Sequence, residues 1–196
     1  LEIITKSSPM GSIDNAFDPI RLALGAGATF VGRTVDLWGK HLEGMIKAAH
    51  AHKGTSVVEI LQNCIIFNDG AFDASVGRAN KQEHSVEMVH GQPLVFGKDG
   101  DKALRLRGCD VEVVNTADVD ASELLVHDAR SDNPSLANIL ANMPFPAFPK
   151  PTGILRQVAK PTYEAAMDSQ VAMAQGGAGK PSLESLFARG DTWTVA

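Results

Sequence analysis

Two segments stand out from the order of their apolar and polar residues. Ala28-Thr-Phe-Val-Gly-Arg-Thr-Val35 is mostly apolar at first, which predicts a strand covered on both faces. From Leu37 to about Lys53, apolar side chains recur at Leu37, Trp38, Leu42, Met45, Ile46 and Ala49. That three- and four-residue spacing predicts an amphipathic helix, with Asp36 able to cap its start and Gly54 closing it. A second strand, Thr55–Leu61, follows, with its body from Ser56 reading as buried. Strand, helix and strand in this order make a parallel βαβ unit with a right-handed crossover. Ahead of it, residues 1–12 read as an extended arrival that ends in a turn. Asp18-Pro19 then reads as an N-cap with proline at the first helical position. The short helix it opens runs to Leu24, and Gly25-Ala-Gly27 forms the turn out.

Beyond Gly70 the texture changes. Residues 71–92 are polar and irregular, and three short strands are then expected at Gln92–Phe96, Ala103–Arg107 and Val111–Val114. The turn Gly97-Lys-Asp-Gly100 joins the first two as a β-hairpin. Leu124–His127 is a further strand candidate, and Asn133-Pro134 starts a helix to about Met143. Pro144, Pro146, Pro149 and Pro151 argue against regular structure until Gly153. Another helix is expected from Pro161 to about Gln175, ended by Gly176-Gly177, and a shorter one at Leu183–Ala188. The tail closes with Asp191-Thr-Trp-Thr-Val195. The first part thus belongs to the α/β class, and residues 71–196 read as a meandering extension that packs on something else.

Composition narrows the classes. The 196 residues are 44% apolar and 21% charged, enough for a packed core. Net charge is -5 with no basic run, which argues against a nucleic-acid-binding surface. Apolar runs fall well short of the roughly 20 residues that cross a bilayer. Cys64 and Cys109 make no disulfide scaffold, and no secretory signal is present, so a soluble protein of a reducing, cytoplasmic compartment is expected. The sequence opens at Leu1 and soon enters a well-formed segment, which favours the later part of a longer polypeptide.

Cys64 is the leading candidate for chemistry. It follows the second strand after the polar corner Gln62-Asn63, and the apolar run Ile65–Phe67 then stops at the turn former Asn68-Asp69-Gly70. Open α/β sheets place their ligands outside the carboxyl ends of their strands. On chemistry alone, however, a free cysteine reads first as a small buried apolar side chain.

The other candidates have plainer readings. Gln175-Gly-Gly-Ala-Gly-Lys180 misses the phosphate-loop motif, which needs glycine at Ala174 and Ser or Thr at Pro181. Lys98-Asp-Gly-Asp101 lacks the ligand spacing of a calcium loop. His84, His90 and His127 have no ligand spacing, and a solvated helical face accounts for His41, His50 and His52. Cys109, between hairpin strands, reads as structural. Glu59 in an apolar strand reads as an edge position or a partner across an interface. Nucleophile, base and orienter cannot be assembled from these residues.

Several blocks resemble the β subunit of actinobacterial-type 2-oxoacid:ferredoxin oxidoreductases, especially the 2-oxoglutarate enzyme. They are Thr5–Asp14, Ala28–Arg33, Ala48–Gly54, Glu59–Gly70, His90–Gly97 and Gly190–Val195, in the family's order over nearly the whole chain. Glu59-Ile-Leu-Gln-Asn-Cys-Ile-Ile-Phe-Asn-Asp-Gly70 is the most specific. The resemblance implies a thiamine-diphosphate-binding α/β fold with parallel strands. Residues 1–75 would form the C-terminal half of that domain, and residues 76–196 an irregular extension, with a hairpin and helices, packed on the domain and on an α subunit. It further implies decarboxylation of a 2-oxoacid, acyl transfer to coenzyme A, and electron transfer through a 4Fe-4S cluster to ferredoxin. Cys64 matches the family's fourth cluster cysteine, so the resemblance makes it a cofactor-binding and metal ligand. The other three cysteines and the Gly-Asp-Gly diphosphate and magnesium motif have no counterpart among these residues. Thiamine diphosphate and Mg2+ would therefore be held mainly by residues preceding Leu1.

Two other readings stay open at this point. One is a non-catalytic assembly or binding module with a structural Cys64. The other keeps the chemistry with pyruvate or a branched-chain oxoacid as substrate.

Overall fold

The computed structural model describes Ile4, residues 8–11, Ile13, and residues 16–177, 182–191 and 193. Most of the N-terminal arrival, the Gly-rich 178–181 segment and most of the 191–195 tail lie outside the described residues. Two compact units are formed, Leu1–Lys160 and Pro161–Ala196.

The first unit opens with helix α1, Pro19–Gly25, and Asp18 caps it as expected by accepting from the Arg21 N–H at 3.0 Å. Strand β1 (Phe30–Val35), helix α2 (Gly39–Ala51) and strand β2 (Ser56–Leu61) form the expected βαβ unit, with β1 and β2 parallel. Side chains of β1 alternate between two faces. Phe30, Gly32 and Thr34 meet α2 and its C-cap: Phe30 lies against the His52 ring, Gly32 faces Met45, and Thr34 Oγ1 lies 2.7 Å from His41 Nδ1. Gly32 is there for the close approach, since a Cβ would fall 2.5 Å from Met45 Sδ. His52 Nε2 also lies 2.9 Å from Thr29 Oγ1. The solvated-face reading thus fails for His41 and His52 and holds for exposed His50. The expected Asp36 cap is not made. Trp38 occupies the cap position without a side-chain hydrogen bond.

The largest departure follows Gly70. Short helices α3 (Asp73–Val76) and α4 (Lys81–His84) lead into strand β3, Ser85–Met88, where irregular chain was expected. Strand β7, Lys150–Gln157, runs through Pro151. The four-stranded sheet has the order β2-β1-β7-β3, parallel at both outer pairs and antiparallel where β7 meets β1. The sheet is therefore mixed, and the extension supplies two of its strands. Proline costs one donor, but Pro151 keeps a carbonyl that accepts from Arg33 Nη1 at 3.3 Å. Gly153, at φ +90, fits where β7 passes β3, because a Cβ there would meet Met88 N at 2.9 Å.

A second, antiparallel sheet contains β4 (Val95–Phe96), β5 (Lys102–Arg107) and β6 (Asp110–Asn115), and the expected hairpin through Gly97–Gly100 is present. Leu124 and Val126 make only isolated bridges, after a 3-10 turn at Ala121–Glu123. Helix α5, Ser135–Ala141, joins α1 over the main core, with Ile20, Val31, Met88, Leu104, Leu140 and Leu155 at its centre. The second unit consists of α6, Tyr163–Gly177, and α7, Leu183–Phe187, with a Ser182 cap. Among the described residues, no helix is long and apolar enough to cross a membrane.

Candidate functional site

Cys64 lies in a loop at the carboxyl end of β2. The strand ends where Leu61 is buried against Val35 and Val76, with Trp38 and Phe72 packed on that small cluster. β2 itself is an edge strand and mostly half-buried, not the buried strand expected. Cys64 pairs with Asn68 across a three-residue turn, its carbonyl accepting from the Asn68 N–H at 2.9 Å. Asn63 closes the loop from outside. Its Nδ2 donates to Asp69 Oδ1 at 2.8 Å, and its Oδ1 accepts from the Gly70 N–H at 2.9 Å. The polar residues that flank the cysteine therefore build the turn.

The turn leaves Cys64 exposed, contrary to the buried structural reading. Backbone N–H groups of Phe67, Ile66 and Asn68 donate toward its sulfur and hold the thiol below its ordinary range. Such donors favour the thiolate, the form that binds a metal. The neighbouring Ile65, Ile66 and Phe67 are 78%, 80% and 64% exposed, an apolar stretch on the surface of the turn. Among the described residues, no group of three or more His, Cys, Asp or Glu side chains is placed to hold a metal ion. The site is thus one exposed sulfur donor on a turn. Cys109 sits apart from it in sequence, exposed at the β5–β6 turn.

Trp38 links the base of this loop to a cleft of about 590 Å³ lined by Lys40, His41, Lys81, Ser85 and Glu87. The Trp38 Nε1–H donates to the Val76 carbonyl at 3.2 Å, and Lys81 Nζ lies 5.2 Å from the ring centroid. His41 Nε2 lies 3.6 Å from Glu87 Oε1. The cleft was not visible in the sequence, because α2, the α4–β3 segment, β4 and β7 supply it from four separate stretches of chain.

Glu59 answers the question its strand position posed. It sits on the sheet edge and accepts from the Nε–H of Arg33, which is 4% exposed. Asp18 Oδ1 lies 4.0 Å from the same guanidinium. Burial, and then Arg33, hold the neighbouring Lys150 ammonium below the ordinary lysine range, opposed by Glu59 and Asp18. The cluster is balanced within the chain and so reads as structural.

An α/β sheet with an exposed, dipole-supported cysteine at a strand's carboxyl end defines a class of site; similarity supplies the relatives. No family model matches the chain. It is 44% identical over 195 residues to the 2-oxoglutarate oxidoreductase subunit KorB of Mycobacterium tuberculosis, across 98% of this chain and 52% of that protein. It is 45% identical over 64 residues to 2-oxoacid:ferredoxin oxidoreductase 1, subunit beta, of Aeropyrum pernix, across 33% of this chain and 20% of that one. The 2-oxoglutarate:ferredoxin oxidoreductase of Magnetococcus marinus, solved with 2-oxoglutarate, coenzyme A and succinyl-CoA bound, shares the fold. Its TM-score is 0.60 at 19% identity, covering 97% of this chain and 50% of that chain. Nearly all of the chain is thus similar to the M. tuberculosis subunit, and about a third of it to the A. pernix β subunit. The chain spans about half the length of the M. tuberculosis relative.

Proposed function

We propose that the chain is the C-terminal portion of the β subunit of a 2-oxoacid:ferredoxin oxidoreductase, with 2-oxoglutarate as the oxoacid. The complex would decarboxylate the oxoacid, transfer the acyl group to coenzyme A and pass electrons to ferredoxin. Residues 1–75 contribute half of the thiamine-diphosphate domain. The extension beyond residue 75, which supplies strands β3 and β7 of the same sheet, would pack on an α subunit. Thiamine diphosphate and Mg2+ are bound mainly outside these 196 residues, and the complex works in the cytoplasm.

The observation that carries this reading is the exposed Cys64 in the loop at the carboxyl end of β2, within the most specific block of the resemblance. These residues suit one corner of a 4Fe-4S cluster: a thiolate is the ligand required, and N–H donors to sulfur are what tune such a site. When bound, the cluster supplies one-electron transfer. Cys64 would supply one thiolate ligand, and the 66–68 backbone would offset its charge. The apolar side chains left exposed at Ile65 to Phe67, and on α6 and α7 at Tyr163, Met167, Leu183 and Phe187, support packing against further protein.

The test is oxoacid-dependent ferredoxin reduction by the purified complex. Cys64→Ala is expected to reduce the rate at least a hundredfold, since an electron path without its cluster is cut. An undiminished rate would overturn the reading.

A further inference from the structure

We propose that the cleft between α2 and β3 is a binding site for a phosphate-bearing small molecule, held by Lys40 and Lys81. This site does not require a cluster at Cys64. At about 590 Å³ the cleft has the size of a small-molecule site. Trp38 and Phe96 give it an apolar wall, and Lys40, Lys81 and His41 give it a cationic one.

The charge in the cleft is unbalanced. Lys47 and Lys102, elsewhere on the chain, each hold a glutamate, Glu43 and Glu83. Among the described residues, Lys40 and Lys81 have no carboxylate partner, and Lys81 Nζ stands instead 5.2 Å from the Trp38 ring centroid. Glu87, the carboxylate of the lining, already has His41 Nε2 at 3.6 Å. His41 is itself fixed, because its Nδ1 lies 2.7 Å from Oγ1 of the fully buried Thr34. The two ammonium groups are therefore left for something that enters from outside.

Helix α2 also breaks a local rule on this wall. Helix starts favour a side-chain cap and acidic residues, because their N–H groups carry partial positive charge. α2 starts at Gly39 with Trp38 at the cap position, no cap hydrogen bond and no acid in its first turn, and Lys40 adds a cation there. Within the chain alone that arrangement is unfavourable. A phosphate between Lys40 and Lys81 would offset it, since ammonium groups donate charge-assisted hydrogen bonds to phosphate oxygens. Local inconsistencies of this kind gather at functional sites.

The test is isothermal titration calorimetry on the native full-length protein with its accompanying subunits, using ADP and inorganic pyrophosphate as probes. Lys40→Gln and Lys81→Gln each remove one charge from an exposed residue, so the fold is expected to survive. Lys160→Gln makes the same change at an exposed residue outside the cleft lining. Each cleft variant is expected to bind the probe about tenfold more weakly, as loss of one charge-assisted hydrogen bond implies, while Lys160→Gln binds like wild type. Tighter binding of ADP than of pyrophosphate assigns an organic phosphate to the site, and equal affinity assigns the inorganic ion. Absence of binding of both probes by wild type overturns the proposal. So do cleft variants that bind as tightly as Lys160→Gln.

Discussion

His127 is a clear case of a single residue tied to solution conditions. It is 1% exposed, its Nε2–H donates to the Ile154 carbonyl at 2.8 Å, and its Nδ1 is buried without a partner. Burial therefore holds its pKa below the ordinary 6.5, with nearby His90 acting in the same direction and Asp128 opposing. The unfolded chain takes up a proton near that ordinary value while the folded one resists. Stability is thus full above it and declines as pH falls below it and on through the native value. Urea unfolding at about pH 7.5 and about pH 5.5 checks this, with a loss of up to about 1.4 kcal/mol expected, the ceiling for one group with that unfolded value. His127→Gln can still donate to Ile154 and should flatten the pH dependence; an equally steep variant would contradict the account. Residues 124–127 read only as a strand candidate, because the cause of the shift is the fold around His127 and not its neighbours in sequence.

At the scale of elements, local signals were legible and distant pairings were not. Asp18-Pro19, the periodicity of α2 and the Gly97–Gly100 turn each act within a few residues, and each element formed where expected. Strands β3 and β7 pair Val86 with Pro151 and Met88 with Gly153, far apart in sequence, so neither announces the other. Pro151 misled for a physical reason: a missing donor weakens a strand but does not forbid one. Gly153 is the residue on which this junction depends. Gly153→Ala is expected to cost about 1–3 kcal/mol, because φ +90 strains any side chain and Met88 backbone blocks the new Cβ. Gly32→Ala should cost less, since its close contacts are with the flexible end of Met45 and the Gly153 carbonyl lies at an ordinary 3.4 Å. Urea midpoints for the two variants decide it, and equal losses would contradict this ranking.

At the scale of the whole molecule, the reading joins one sulfur to an assembly much larger than this chain. The position of Cys64 after a strand marks it in the sequence, but its ligand role came only through resemblance, since a lone cysteine carries no ligand spacing. What the fold adds is the reason that sulfur can serve: exposure, three backbone donors and an apolar stretch on one turn. The most direct test is iron and acid-labile sulfide in the native complex purified without oxygen, wild type beside Cys64→Ala. The account predicts about four of each per αβ unit in wild type, from one cluster, and their loss in the variant. Little iron in wild type, or full iron in the variant, would contradict it and return Cys64 to a structural role.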